Sequence, residues 1–306
     1  MSVYVVGHKS PDTDSVTAAI AYAELMKAKG EDYIACINGD PNPETKMVLD
    51  KFGAAVPTKL SDATGKKIAL VDHSDLAQAP DNLSAGEVVA VVDHHKIGDV
   101  TTNNPIFFCA MPVGCTGTVL KVLFDLEGVK IQPNVAGMMM AAILSDTVNF
   151  KSPTCTDADK KAVAELKVIS GVSDTDGLFM EMLKAKSAVA GVPPMALLDR
   201  DYKDFDMKGK KVGVGQLELA TLDQVAPMRD ALLGAMKEKK AGGRHSVLLM
   251  LTDVVKEGTD LMVLSDEPAL IESAFNGKLK DNSMWIDGMM SRKKQTIPNL
   301  QKAFGC

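Results

Sequence analysis

"AVVDHHKIGD", Ala90–Asp99, closes an apolar run of strand type (Val88, Val89, Ala90, Val91, Val92) abruptly with Asp93, His94 and His95. A strand buried on both faces reads as a near-continuous apolar run. One acid and two imidazoles at its end need partners or a function. The same ending occurs earlier, in "IALVDHSD", Ile68–Asp75. "VYVVG", "DYIACI", "KIALVD" and "PIFFCA" read as further strands of the same half of the chain. Apolar residues at helical spacing predict helices over Ser15–Lys29, Glu44–Phe52, Gly117–Leu126, Pro133–Leu144 and Asp157–Ser170. Strands and helices in alternation predict an α/β fold with a parallel sheet covered on both faces.

The pattern changes around "KSAVAGVPPMALLDRD", where Gly191, Pro193 and Pro194 punctuate the chain. Strand-like pieces follow: "YKDFDM", "KKVGVGQLEL", "RHSVLLMLTDV" and "TDLMVLS". Helices are expected between them at Leu222–Lys239 and Glu267–Asn276. These features predict a first domain over 1–187, a linker over 188–194 and a second domain over 195–306. No solenoid repeat or low-complexity segment is visible.

The chain has 306 residues, 46% of them hydrophobic and 24% charged, with a net charge of -6. That balance fits a soluble globular protein and argues against a nucleic-acid binder that works through bulk positive charge. No apolar stretch reaches the roughly 18 residues a bilayer span needs, so no membrane association is expected. "MSVYVVGHKS" lacks the charged region and cleavage site of a secretory signal. Five cysteines without C-x-x-C spacing read as reduced thiols of a cytoplasmic protein, Cys115 and Cys155 among them as packing residues. Met138–Met140, Met289 and Met290 read as core filler, and Lys237, Lys239 and Lys240 as a solvated helix face.

In open parallel sheets, ligands bind beyond the carboxyl ends of the strands. Four polar clusters fall at such ends or at a helix terminus: His8, Asp12 and Asp14 in "GHKSPDTDS"; Asp72 and His73; Asp93, His94 and His95; and Asp146 in "ILSDTVNF". Taken alone, Asp12 or Asp14 could cap the next helix, and His73 could be an orienting or packing ring. Taken together, so many carboxylates would raise one another's pKa unless cations compensated them. Oxygen and imidazole donors without thiolate suit Mn²⁺ or Co²⁺ better than Mg²⁺ alone. Two metals about 3.5–4 Å apart are a common device for hydrolysing phosphate esters and anhydrides.

"GHKSPDTDS", "VDH", "VDHH" and "SDT" fall in the order of the DHH phosphoesterase superfamily, which the chain resembles. "PVGCTGT" (Pro112–Thr118), the "YK" of "RDYKDF" and "SRKKQ" (Ser291–Gln295) extend the resemblance to the family II, manganese-dependent inorganic pyrophosphatases. It covers nearly the whole chain, and "SRKKQ" on a second domain of DHHA2 type is its specific element. The resemblance implies a parallel-sheet DHH domain, a smaller mixed-sheet DHHA2 domain and an active site in the cleft between them. His8 and Asp12 would bind one metal; Asp14, His94 and Asp146 the other; Asp72 would bridge them. His95 would contact substrate. Lys203, Arg292 and Lys293 would clamp pyrophosphate. Asp93 is expected to bond to a histidine and fix its tautomer.

The implied cofactors are Mn²⁺ or Co²⁺ at two sites, with further Mg²⁺ or Mn²⁺ arriving with substrate. The implied partners are inorganic pyrophosphate and a second copy of the chain, joined through the first domain. The implied reaction is attack on phosphorus by a hydroxide shared between the metals, yielding two orthophosphates. Three departures stand out: "VDHSD" where the family usually has "VDHNE", Met111 where an acid is common, and Gly117 beside the more frequent Ala. A related exopolyphosphatase, a DHH nuclease or nucleotide phosphatase, and a catalytically dead metal-binding module are the alternatives. "AGGRHSV" (Ala241–Val247) faintly resembles the glycine-rich segment of the nuclease branch, but its position suits a turn.

Overall fold

The computed structural model describes residues 2–152 and 154–306. The chain divides into two compact units, Met1–Lys186 and Ser187–Cys306. In the first, β1 (Val3–Val6), β2 (Tyr33–Ile37), β3 (Thr58–Lys59), β4 (Lys67–Val71), β5 (Glu87–Asp93) and β6 (Phe107–Ala110) form one sheet in the order β3-β2-β1-β4-β5-β6. Every pairing in it is parallel. The order reverses direction between β1 and β4, the position where open parallel sheets bind ligands.

Successive side chains on a strand alternate faces, and the two faces carry separate cores. Val5, Ala69, Val71, Ala90 and Val92 share one core with the buried residues of α1 (Thr13–Ala28). The same core takes in residues of α2 (Pro43–Lys51), α3 (Thr116–Leu126), α4 (Pro133–Asp146), α5 (Asp157–Ser170) and α6 (Thr175–Lys186). Val6, Ile68, Leu70 and Val91 point the other way, against Leu60, Ala63, Ala79 and Leu83 from the connecting segments. The sheet is thus covered on both faces, by helices on one and by loops and short 3₁₀ turns on the other. Helix α4 is buried all round from Val135 to Leu144, which places it at the centre of the helical layer. Met138–Met140 lie inside it as core filler.

In the second unit, α7 (Pro194–Asp199) precedes β7 (Tyr202–Met207) and β8 (Lys210–Leu219). Then come α8 (Arg229–Ala241), β9 (Ser246–Asp253), β10 (Gly258–Ser265), α9 (Pro268–Phe275), β11 (Ser283–Asp287) and α10 (Ile297–Phe304). The sheet order is β11-β10-β9-β8-β7. β8 and β9 are parallel, and the other pairs are antiparallel. β9 is buried along its whole length.

The helix expected over Leu222–Lys239 begins only at Arg229. Thr221 closes a capping box over a single 3₁₀ turn, and Pro227 sits in a second such turn, so the early apolar residues never join the helix. Lys237 is exposed as expected, but Lys239 and Lys240 reach across to Asp199 and Asp266. "AGGRHSV" is the turn between α8 and β9, with Gly243 at φ +85° and Arg244 paired to Asp204.

Candidate metal centre

Three neighbouring strands deliver the first candidate donors. β1 ends at Val6, and Gly7 turns the chain toward His8. A Cβ at Gly7 would lie 1.9 Å from Ser15 Oγ, so only glycine lets the strand end approach α1 this closely. β4 ends at Val71, and Asp72 follows at φ +63°. Left-handed backbone at a non-glycine residue is uncommon and tends to mark functional sites. β5 ends in Asp93, which leads into His94 and His95.

Asp72 stands at the centre. It is 2% exposed. Its Oδ2 lies 3.2 Å from His8 Nε2, and its Oδ1 lies 3.4 Å from His94 Nε2. Asp12 Oδ2 is 3.6 Å from the same His8 nitrogen, while Asp12 Oδ1 caps α1 by accepting from Ser15 N. Asp12 therefore both caps the helix and faces the centre. Asp14 is fully buried, and its two oxygens accept the first N–H groups of α3, from Thr116 at 2.7 Å and Gly117 at 3.1 Å. Asp14 Oδ2 is 4.0 Å from His94 Nε2. Asp146, the last residue of α4, approaches Asp14 and Cys115.

Among the described residues, three sets of donors lie within ligand spacing: His8, Asp12 and Asp72; Asp72, His94 and His95; Asp14, Cys115 and Asp146. Asp72 is the one residue common to two sets. His73 belongs to none. Its Nδ1 pairs with Val71 O at 2.9 Å, and burial pushes its pKa down, so it stays neutral.

The ring orientations fit metal binding. His8 Nδ1 donates to Lys9 O at 2.7 Å and His94 Nδ1 to Val113 O at 3.0 Å. Each bond leaves Nε2 as the nitrogen facing the carboxylates. Asp93 Oδ1 accepts from His94 N, His95 N and His95 Nδ1. It thereby fixes the orientation of the half-exposed His95 ring through Nδ1.

The electrostatics show a site short of positive charge. Burial and the neighbouring Asp72 charge push Asp14 up to about 7, although His94 opposes them. Burial, then Asp14, Asp12 and Asp72, drive Asp146 well above the carboxylate range. Burial works against Asp72 too, but His8 and His94 hold it well below its ordinary value. Burial alone would depress the histidines. The Asp12 and Asp72 carboxylates instead carry His8 up to about 11, and Asp72 and Asp14 carry His94 to about 9. Carboxylates and rings are thus raised together, the pattern of a donor set that favours cations among its members. Burial, then Asp14 and Asp146, raise the Cys115 thiol well above its usual range, so Cys115 offers no thiolate at neutral pH. The oxygen and imidazole set that remains suits Mn²⁺.

Several residues of the site carry no local sequence signal. Thr116 Oγ1 donates to Asp72 Oδ1 at 3.2 Å. Asp159, fully buried, accepts from Gly114 N, Thr118 Oγ1 and Thr156 N and Oγ1, which pins the loop that carries Val113 and Thr116. Thr116 lies within the "PVGCTGT" motif, but nothing local reveals the bond of its hydroxyl.

The remaining expected site residues belong to the second unit. Lys203 lies exposed on β7. Ser291 caps a wide π-type turn over Arg292–Thr296, a feature frequent at functional sites. Lys293 is exposed on that turn, whereas Arg292 is buried and its guanidinium pairs with Asp201 Oδ1 at 2.6 Å.

Two family models match the chain: the DHH family N-terminal domain over residues 2–143 and the DHHA2 domain over 180–303. The chain is 52% identical to a "Probable manganese-dependent inorganic pyrophosphatase" of Archaeoglobus fulgidus, over 99% of this chain and 98% of the relative. It is 48% identical to the manganese-dependent inorganic pyrophosphatase of Methanothrix thermoacetophila, over 99% and 98%. A crystal structure from Methanococcus jannaschii, provisionally assigned as a family II inorganic pyrophosphatase, matches with a TM-score of 0.63 at 42% identity. That match covers 99% of this chain and 100% of the other.

Proposed function

Because the chain belongs to the family of manganese-dependent inorganic pyrophosphatases, we propose that it hydrolyses inorganic pyrophosphate to two orthophosphates. The observation that carries this is Asp72, a buried carboxylate with one oxygen toward each of two metal-oriented histidines. His8, Asp12 and Asp72 would hold one Mn²⁺, and Asp14, His94, Asp146 and Asp72 the second. Such a pair, when bound, would lower the pKa of a water toward neutrality and offset the negative charge of phosphate oxygens.

The chain's own groups orient the rest. His95, fixed by Asp93, presents Nε2 to a phosphate oxygen. Lys203 and Lys293 act as point charges on the substrate, and Arg292 as a planar fork. With Arg292 held by Asp201, substrate oxygens would exchange for that carboxylate. Additional Mg²⁺ or Mn²⁺ would arrive with pyrophosphate.

Phosphate release tests this. Metal-stripped protein reloaded with Mn²⁺, Co²⁺ or Mg²⁺ is offered pyrophosphate, tripolyphosphate, long polyphosphate and a short oligonucleotide. Fast release from pyrophosphate alone, stimulated by Mn²⁺ or Co²⁺, is expected. Preference for the longer phosphates would make the chain an exopolyphosphatase, and cleavage of the oligonucleotide alone a nuclease. In the same assay Lys203→Ala and Lys293→Ala are expected to raise KM for pyrophosphate at least tenfold. An unchanged KM in both removes the clamp.

The second copy is proposed to join through β6. That strand is an edge of the first sheet, and its Phe107 and Phe108 are 47% and 45% exposed. An apolar open edge invites pairing with another chain, whereas the opposite edge, β3, has only Thr58 and Lys59. Phe108→Glu is expected to convert a dimer to a monomer in light scattering; a monomeric parent chain would contradict the dimer. No helix among the described residues is long and apolar enough to cross a membrane. The free thiols fit a reducing compartment, and the cytoplasm is the proposed location.

A further inference from the structure

Glu44 is a buried carboxylate that the chemistry above does not use. It lies in the first turn of α2, is 3% exposed and belongs to none of the three donor sets. Its Oε1 accepts two hydroxyl hydrogen bonds, from Thr13 Oγ1 at 2.7 Å and from Ser145 Oγ at 2.6 Å. Thr13 stands between Asp12 and Asp14, and Ser145 immediately precedes Asp146. One oxygen thus ties the first turn of α1 to the last turn of α4. Thr45 Oγ1, 3.2 Å from Thr13 Oγ1, adds to the same junction.

Stability alone does not call for a carboxylate here. Burying a charge is costly, and two apolar side chains would join these helices without that cost. Among the described residues, the cation paired with Glu44 is Lys186, whose Nζ is 3.8 Å from Oε2 and whose side chain is 59% exposed. What a carboxylate adds is short, directional bonds to hydroxyl donors. It adds them at the two helix ends that carry Asp14 and Asp146, whose oxygens lie within ligand spacing of one another.

Taking Asp14 and Asp146 as ligands of the second Mn²⁺, we propose that Glu44 is a positioning residue for that metal. It holds the two carboxylates at ligand spacing, and so sets the affinity of one metal position without touching metal or substrate.

The test is a Mn²⁺ titration of metal-stripped protein, followed by electron paramagnetic resonance of free Mn²⁺ and by the Mn²⁺-induced rise in Tm. The parent chain is compared with Glu44→Ala, Glu44→Gln and the donor-side variant Thr13→Val/Ser145→Ala. The parent is expected to bind two Mn²⁺. Glu44→Ala is expected to weaken one of the two binding constants by roughly 10–100-fold, the usual cost of losing a partner outside the ligand shell, and to leave the other within about threefold. Glu44→Gln, which keeps an acceptor oxygen, recovers most of the loss, and the donor-side variant reproduces it. A lowered Tm of the stripped protein with both Mn²⁺ constants unchanged would overturn the inference and leave Glu44 a stabiliser of the fold. If Glu44→Ala does not fold, the donor-side variant decides, and unchanged Mn²⁺ affinity there overturns it equally. A parent chain that does not bind two Mn²⁺ removes the two-metal centre itself, an outcome distinct from all of these.

Discussion

Asp72→Asn is expected to lower kcat for pyrophosphate by about 10³-fold or more, some 4 kcal/mol of barrier, with the fold intact. Asparagine has nearly the same shape and tolerates left-handed backbone better than other side chains with a Cβ. Since Asp72 sits at φ +63°, Asn keeps the turn after β4 unstrained. It can also still accept the Thr116 hydroxyl bond. What it cannot do is share charge between two centres. Asp72 is the one residue belonging to two of the donor sets, with His8 on one side and His94 on the other. The neutral amide would break the proposed bridge and leave His8 and His94 facing an uncharged group. The readouts are kcat, Mn²⁺ stoichiometry and far-ultraviolet circular dichroism. The expected result is one Mn²⁺ or none, an unchanged spectrum and near-zero turnover. Near-normal turnover would contradict the assignment of Asp72 as the bridge.

The residues most legible in the sequence are those whose position follows from the sheet. Parallel strands end on one edge, so His8, Asp72, Asp93, His94 and His95 had to meet once β1, β4 and β5 were neighbours, as they are. Asp146 was legible because an apolar helix ends on it. The residues that remained silent act through contacts no short window contains. Glu44 reads as an ordinary first-turn acid after Pro43, and only the packing of α2 beside α1 and α4 gives it two hydroxyl donors. Asp159 likewise reads as a capping-box residue of α5 until Gly114 and Thr118 come to it. Periodicity misled at Leu222, where apolar spacing ran on through Pro227 and hid two 3₁₀ turns. The run "SRKKQ" was legible as a basic segment, but not that Arg292 turns inward to Asp201 while Lys293 faces out.

Metal-stripped protein is expected to be most heat-stable in mildly acidic solution, and Mn²⁺ is expected to reverse that dependence. Asp14 is raised from 3.8 to about 7, so its contribution is complete below 3.8 and is lost as pH climbs through 7. His94, raised from 6.5 to about 9, contributes fully below 6.5 and loses that as pH passes 9. His8, raised from 6.5 to about 11, follows over a still higher range. All three act in one direction. Asp72, held below 3.8, acts in the other, and its contribution is lost only as pH falls into the strongly acidic range. The stripped protein should therefore be most stable on the acid side of neutrality and lose stability, read as a falling Tm, as pH rises from 5.5 to 8.5. Mn²⁺ needs the same rings and carboxylates without their protons, so its affinity rises over the interval in which the stripped protein weakens. The gap between the Tm of loaded and stripped protein should widen from pH 5.5 to 8.5. Loading at pH 7 should release more than one proton per chain, measured by calorimetry in buffers of different ionisation heat. A stripped protein whose Tm holds level or rises over that interval would mean that the His8 and His94 protons do not compensate the buried carboxylates. The charge deficit that calls for two cations would then have to be met by other groups.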